Sequence, residues 1–73
     1  MVKVAFLGGG SFGTALGILL ANKGVEVSIY DRENSVVEDI NINRRNDRYI
    51  KNLNIPKNVT AYNVLDEALK DAN

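Results

Sequence analysis

Two segments of the chain carry the hydrophobic patterns of β-strands. In residues 2–7 (VKVAFL) both alternating sets of positions are largely apolar, as in a strand covered on both faces of a parallel sheet. Residues 25–30 (VEVSIY) place a β-branched residue at every second position and predict a second strand.

The segment between these strands has a helical period instead. Its apolar residues recur at helical spacing at Phe12, Ala15, Leu16, Leu19 and Leu20. Gly24 stands where a left-handed C-terminal cap is expected. The pattern therefore predicts a helix over residues 11–23 that ends at Gly24.

A second helix is predicted after Ser35, which can cap it while Glu38 reaches back from three residues further on. Its apolar positions are Val36, Val37, Ile40 and Ile42. We expect this helix to fray by Asn46. Residues 46–58 are polar and irregular, contain the only proline, Pro56, and predict a connecting loop.

A third strand is predicted over Val59–Tyr62, and a last helix is predicted to follow with Asn63 as its cap. The apolar positions of that helix are Val64, Leu65, Ala68 and Leu69. Alternation of strands and helices is typical of an open parallel α/β sheet. We expect an incomplete Rossmann-type doubly wound sheet with the order β-α-β-α-β-α.

The turn between the first strand and the first helix is unusually rich in glycine. Gly8, Gly10 and Gly13 form G-x-G-x-x-G at the position where a dinucleotide-binding fingerprint belongs. There the first glycine permits a tight turn, the second admits a pyrophosphate, and the third allows close packing of helix and strand. Amide groups of the first helical turn face the anion, and the Ser11 hydroxyl can add a donor. A P-loop is excluded, because its lysine and hydroxyl pair does not follow Gly13.

Asp31 and Arg32 are candidates for the adenosine end of a dinucleotide, and Tyr49 is a further candidate contact of the cofactor. Asp31, at the end of the second strand, lies in the range from which an acid accepts hydrogen bonds from ribose, or it is a solvated strand-end acid. Arg32 can face adenine, pair with a 2′-phosphate, or be a surface charge. Tyr49 either packs in the loop or reaches the cofactor.

Composition removes several other kinds of chemistry. The 73 residues contain nine Lys plus Arg, nine Asp plus Glu, no histidine and no cysteine. A balanced charge predicts no affinity for nucleic acid or anionic membranes, and the missing side chains exclude disulfides, thiolate metal sites and a histidine base. No apolar run approaches the ~20 residues of a membrane span, and we expect a cytoplasmic protein.

The stretches FLGGGSFGTALGILLANKGVEVSIYDRE and INRRNDRYIKNLNIPKNVTAYNVLDEAL resemble the start of the bacterial NAD(P)-dependent glycerol-3-phosphate dehydrogenases. The resemblance implies that Ser11 and Phe12 contact the pyrophosphate region and that Arg32 lies by the adenosine. Asp31 departs from the family, which often has a small or aromatic residue there. Because its charge would repel a 2′-phosphate, Asp31 favours NAD over NADP.

The resemblance also implies that residues 1–73 are the N-terminal part of a cofactor domain. The catalytic lysine, the glycerol-phosphate site and a helical domain would then lie outside this chain, and the chain alone would be inactive. The same fingerprint opens 3-hydroxyacyl-CoA, 6-phosphogluconate and ketopantoate dehydrogenases, and a free-standing nucleotide-binding module is the alternative from another class. An unpaired edge along the first strand predicts self-association or partial unfolding.

Overall fold

The computed structural model describes residues 2–8, 10–48, 51 and 53–72, with the backbone alone for Ser11. Its elements, in chain order, are β1 (Lys3–Leu7), α1 (Ser11–Asn22), β2 (Glu26–Tyr30), α2 (Asn34–Glu38), a π-helical turn (Asp39–Asn43), β3 (Val59–Tyr62) and α3 (Leu65–Leu69). All three predicted strands and all three predicted helices are therefore present.

The three strands form one parallel sheet in the order β1-β2-β3. Leu7 pairs with Tyr30, and Tyr30 pairs with Tyr62, so all three strands end at the same edge. This sheet with its helices confirms the predicted open, parallel α/β fold. Within the described residues no helix is both long enough and apolar enough to cross a bilayer.

Helices cover both faces of the sheet. On one face α1, α2 and the π-helical turn enclose a core made of Ala21, Val27, Ile29, Val36, Ile40, Ile55, Val59 and Ala61. On the other face, Ser28 of β2 donates its hydroxyl to the carbonyl oxygen of Ala68 in α3 at 2.5 Å. The chain thus changes face after β3, as a doubly wound sheet requires.

The buried positions of α1 on the sheet side are small residues, and Ile18 and Leu20 pack against the same core while partly buried. A Cβ on Gly17 would stand 3.3 Å from Cγ1 of Val27, and Thr14 and Ala21 are buried. By contrast, Phe12 is 81% exposed and Leu19 is 55% exposed. At Gly17 the helix backbone lies too close to the sheet for a large side chain. Some apolar residues of the helical pattern, such as Phe12 and Leu19, therefore point away from this core.

The predicted end of α1 is confirmed. Gly24 has φ +88°, and its N–H donates to the carbonyl oxygen of Ala21 at 2.9 Å. The N–H of Val25 donates to the carbonyl oxygen of Leu20 at 3.2 Å, which completes a Schellman motif.

Both predicted N-terminal caps are wrong. Glu33 is the N-cap of α2, and Ser35 lies inside the helix. The chain turns before Ser35 because the Asp31 carboxylate accepts the Glu33 N–H at 2.8 Å. Val64 is the N-cap of α3, and the Asn63 amide instead donates to the Oδ1 atom of Asn34.

The second helix ends before Asn46, as expected, but its last turn is not α-helical. It changes from α2 into the π-helical turn and stops at Arg44, whose φ of 57° and ψ of 40° are left-handed. The Arg44 guanidinium donates to the carbonyl oxygens of Ile55 at 3.2 Å, Val59 at 2.6 Å and Pro56. Burial lowers the pKa of Arg44 from its ordinary value. These bonds attach the end of the helix to the last part of the predicted loop and to β3.

Candidate functional site

The three fingerprint glycines have different surroundings and backbone conformations. Gly8 has φ +131°, a backbone conformation that residues with a side chain rarely adopt. Gly13 packs closely against the strand side of the turn, since a Cβ there would make a tight contact of 3.1 Å with the Gly8 carbonyl oxygen. Gly10 has an ordinary φ of −70°, and a Cβ on it would meet no atom of the described residues within 4 Å. Gly10 therefore borders open space rather than a neighbouring atom.

The first turn of α1 starts directly at this open space. Gly10 is the N-cap of the helix, and its carbonyl oxygen accepts the N–H of Thr14 at 2.9 Å. The amide groups that precede Thr14 have no partner inside a regular helix and lie at the positive end of its dipole. An anion beside Gly10 would meet both the amide donors and the dipole.

The acid predicted for the ribose lies beside the glycine turn. The Asp31 N–H donates to the Tyr62 carbonyl oxygen at 3.0 Å, and its Oδ1 atom accepts from Glu33, so the carboxylate has a fixed direction. Since β1 and β2 end in register, Gly8 and Asp31 come together across one cleft of about 380 Å³. The cleft is lined by Leu7, Gly8, Tyr30, Asp31, Arg32, Glu33 and Leu65.

The remaining predicted site residues fall into two groups. Arg32 is exposed on the wall of the cleft, and Phe12 is exposed on the first turn of α1. The side chain of Ser11 and the whole of Tyr49 lie outside the described residues. The structure thus brings Gly8, Asp31 and Arg32 into one cleft and leaves the roles of all the predicted site residues as predictions.

Sequence reasoning missed several residues around the site. Glu33 lines the cleft and forms an ion pair with Arg48, and Leu65 reaches the same cleft from α3. Thr14 and Asn46 form a buried hydrogen bond behind the glycine turn. The acid pair Asp31 and Glu33 was visible in the sequence, whereas the other contacts join distant segments. In the described part of the chain, no group of three or more acidic side chains could hold a metal ion.

A parallel sheet whose first strand leads into a three-glycine turn and whose second strand ends in an acid defines a dinucleotide-binding domain of the Rossmann type. The chain belongs to the family described as NAD-dependent glycerol-3-phosphate dehydrogenase N-terminus, whose model matches residues 3–73.

Relatives of the chain carry the same description. A Clostridium perfringens protein named glycerol-3-phosphate dehydrogenase [NAD(P)+] is 69% identical over 72 residues, which are 99% of this chain and 22% of the relative. A protein of the same name from Clostridium botulinum strain Alaska E43 is 65% identical over 99% of this chain and 22% of its own length. The chain therefore spans about a fifth of the length of these relatives.

Solved structures agree with this assignment. A crystal structure of glycerol-3-phosphate dehydrogenase from Coxiella burnetii has a TM-score of 0.90 and 35% identity, over 97% of this chain and 22% of that one. The Plasmodium falciparum glycerol-3-phosphate dehydrogenase has a TM-score of 0.79 and 27% identity over the same shares. The family resemblance seen in the sequence is confirmed, and NAD and NADP both fit the family as cofactors.

Proposed function

We propose that this chain is the cofactor-binding N-terminal part of an NAD(P)-dependent glycerol-3-phosphate dehydrogenase. The whole enzyme would interconvert glycerol 3-phosphate and dihydroxyacetone phosphate, a step that supplies the backbone of glycerophospholipids. The bound dinucleotide would supply the hydride chemistry. This chain would hold the dinucleotide, and the catalytic and substrate-phosphate residues would belong to the remaining length that the relatives have.

The observation that carries this proposal is the open side of Gly10. Gly10 has an ordinary φ and no neighbour within 4 Å of a Cβ, so nothing in the described chain requires a glycine at this position. A ligand that must approach the backbone closely explains why this position is a glycine, and the adjacent amides of α1 favour an anion. The pyrophosphate of a dinucleotide meets both conditions.

The adenosine half would then lie in the cleft between β1 and β2. Asp31 would accept hydrogen bonds from the ribose hydroxyls, because its carboxylate is oriented by the Glu33 N–H. Arg32, exposed on the same cleft, would lie near the adenine or a 2′-phosphate. Ser11 and Phe12, at the first turn of α1, would border the pyrophosphate. Tyr49 would reach the cofactor. NAD is the favoured cofactor because the Asp31 charge would repel a 2′-phosphate.

Replacing Gly10 with Val in the full-length protein tests the pyrophosphate site. Valine tolerates the extended backbone at this position, and a Cβ there meets no atom of the described residues within 4 Å, so the fold should survive. NADH and NADPH binding should fall by at least about a hundredfold in calorimetric titration, since the side chain occupies the space of the anion. Ala15→Val, at an exposed position of the same helix, is the matched control and should bind normally. Unchanged NADH affinity in a folded Gly10→Val protein would overturn the proposal.

The free-standing nucleotide-binding module makes a different prediction for the gene. An open reading frame that continues past residue 73 into an apolar strand would support the enzyme, whereas a stop codon at that point would support the module. The cytoplasmic location expected from the sequence is also part of this proposal, and cell fractionation with an antibody to the chain tests it.

A further inference from the structure

A buried hydrogen bond links the glycine turn to a segment far along the chain. The Nδ2 atom of Asn46 donates to the Oγ1 atom of Thr14 at 2.8 Å, although the two residues are 32 positions apart. Each residue is only 1% exposed. A hydrogen bond between two neutral side chains at this depth fixes the relative position of the two segments, because breaking it leaves a buried polar group unsatisfied.

Thr14 is well placed to control the geometry of the turn. Its N–H closes the first turn of α1 by donating to the Gly10 carbonyl oxygen at 2.9 Å, while its side chain receives the bond from Asn46. Next to it, Gly13 is pressed against the Gly8 carbonyl oxygen on the strand side. The start of α1 is therefore supported from β1 on one side and from Asn46 on the other.

The segment around Asn46 is itself held firmly. The Asp39 carboxylate accepts from the Asn43 amide at 2.9 Å and from the Asp47 N–H at 3.1 Å, which brackets Asn46 on both sides. The Arg44 guanidinium attaches the end of the π-helical turn to Ile55 and to Val59 of β3. The π-helical turn and the left-handed Arg44 thus deliver the Asn46 side chain to Thr14.

We infer that Thr14 and Asn46 are positioning residues for cofactor binding. Their bond holds the first turn of α1 in the orientation in which its amides meet the pyrophosphate, and it makes the affinity for the dinucleotide depend on the segment after α2. The inference rests on the proposed function. Binding sites need their donors held within about half an ångström, so losing this support weakens binding without removing any group that touches the ligand.

Four variants of the full-length protein test the inference. Thr14→Val keeps the side-chain shape and removes the hydroxyl, Thr14→Ser keeps the hydroxyl, and Asn46→Ala removes the donor. Asn41→Ala is the matched control, because the Asn41 amide likewise bonds to a distant segment, but to β3. Its Nδ2 atom donates to the Ala61 carbonyl oxygen at 2.8 Å, and its Oδ1 atom accepts the Ala61 N–H at 2.7 Å. The readouts are the NADH dissociation constant, measured by nicotinamide fluorescence, and the thermal midpoint without cofactor.

Thr14→Val and Asn46→Ala should each raise the NADH dissociation constant about fivefold or more, and the double variant should bind about as weakly as the weaker single one. Thr14→Ser and Asn41→Ala should stay within about twofold of the parent protein, even though Asn41→Ala lowers the thermal midpoint. If Asn46→Ala does not fold, the contrast between Thr14→Val and Thr14→Ser decides.

Two results would contradict the inference. If Thr14→Val and Asn46→Ala lower the thermal midpoint and leave NADH affinity within twofold, as Asn41→Ala does, the bond is structural only and the proposed function stands. If the parent protein binds neither NADH nor NADPH, the proposed function fails and the inference fails with it.

Discussion

Alanine at Gly8 and alanine at Gly10 should change the free energy of unfolding in opposite directions. Neither substitution would place a Cβ within 4 Å of another atom in the part of the chain that the structure describes, so the two sites do not differ in crowding there. They differ in backbone conformation alone, because Gly8 has φ +131° and Gly10 has φ −70°. The pair therefore separates the conformational role of a glycine from its role in admitting a ligand.

The size of each effect follows from the backbone. A side chain held in a sparsely populated conformation costs about 1–3 kcal/mol, so Gly8→Ala should destabilise the protein by that amount. At Gly10 an alanine fits the existing φ and restricts the unfolded chain, which stabilises the protein by about 0.4–1 kcal/mol. The two variants should thus differ by about 1.4–4 kcal/mol although each adds one methyl group.

Urea denaturation of the cofactor-free, full-length protein measures this difference, and NADH titration of the same samples supplies the second comparison. Gly10→Ala should be as stable as the parent or more stable and yet bind NADH more weakly, because its methyl group enters the open space beside the turn. The reasoning is refuted if Gly10→Ala loses as much stability as Gly8→Ala, or if it gains stability and keeps full affinity.

Three further predictions concern other parts of the molecule. Arg32→Ala should weaken NADPH binding more than NADH binding, and Asp31→Ala should do the reverse, in titrations with both cofactors. Arg44→Lys should lower the free energy of unfolding by about 1–3 kcal/mol in urea denaturation, since one ammonium cannot reach the carbonyls that the guanidinium bridges. The isolated 73-residue chain should show no turnover of dihydroxyacetone phosphate with NADH and should sediment as more than a monomer or melt without cooperativity.

The strands and the order of elements were predictable because local pattern decides them. A strand buried on both faces needs apolar residues at both alternating sets of positions, and VKVAFL supplies them before the glycines. The N-terminal caps were not predictable in the same way. Ser35 has the residue type of a cap, but the Asp31 carboxylate turns the chain two residues earlier through a bond to Glu33, and the helix begins before Ser35.

The candidate site divides along the same line. Gly8, Gly10, Gly13 and Asp31 lie within 24 residues of one another, and the spacing of strand, turn, helix and strand predicts where they meet. The bond between Asn46 and Thr14 depends on a π-helical turn and a left-handed Arg44, which no helical or strand period indicates. Residues that support a site from a distant segment therefore escaped the sequence pattern that identified the residues lining it.

The outer edges of β1 and β3 differ in their hydrogen bonding, and the difference indicates at which edge a further strand can be added. The carbonyl oxygens of Asn58 and Tyr62 accept from Val27 of β2 and from Asp31 just after it. The backbone groups of the alternate residues Val59 and Ala61 therefore face the outer edge of β3. There the side chain of Asn41 both donates to and accepts from the Ala61 backbone, and Arg44 donates to the Val59 carbonyl oxygen, so this edge is closed to another strand. Within the described residues β1 has a strand neighbour only on its β2 side. With α3 already on the opposite face, we expect a further parallel strand to join beside β1, which extends the sheet past the glycine turn and places that turn near its middle.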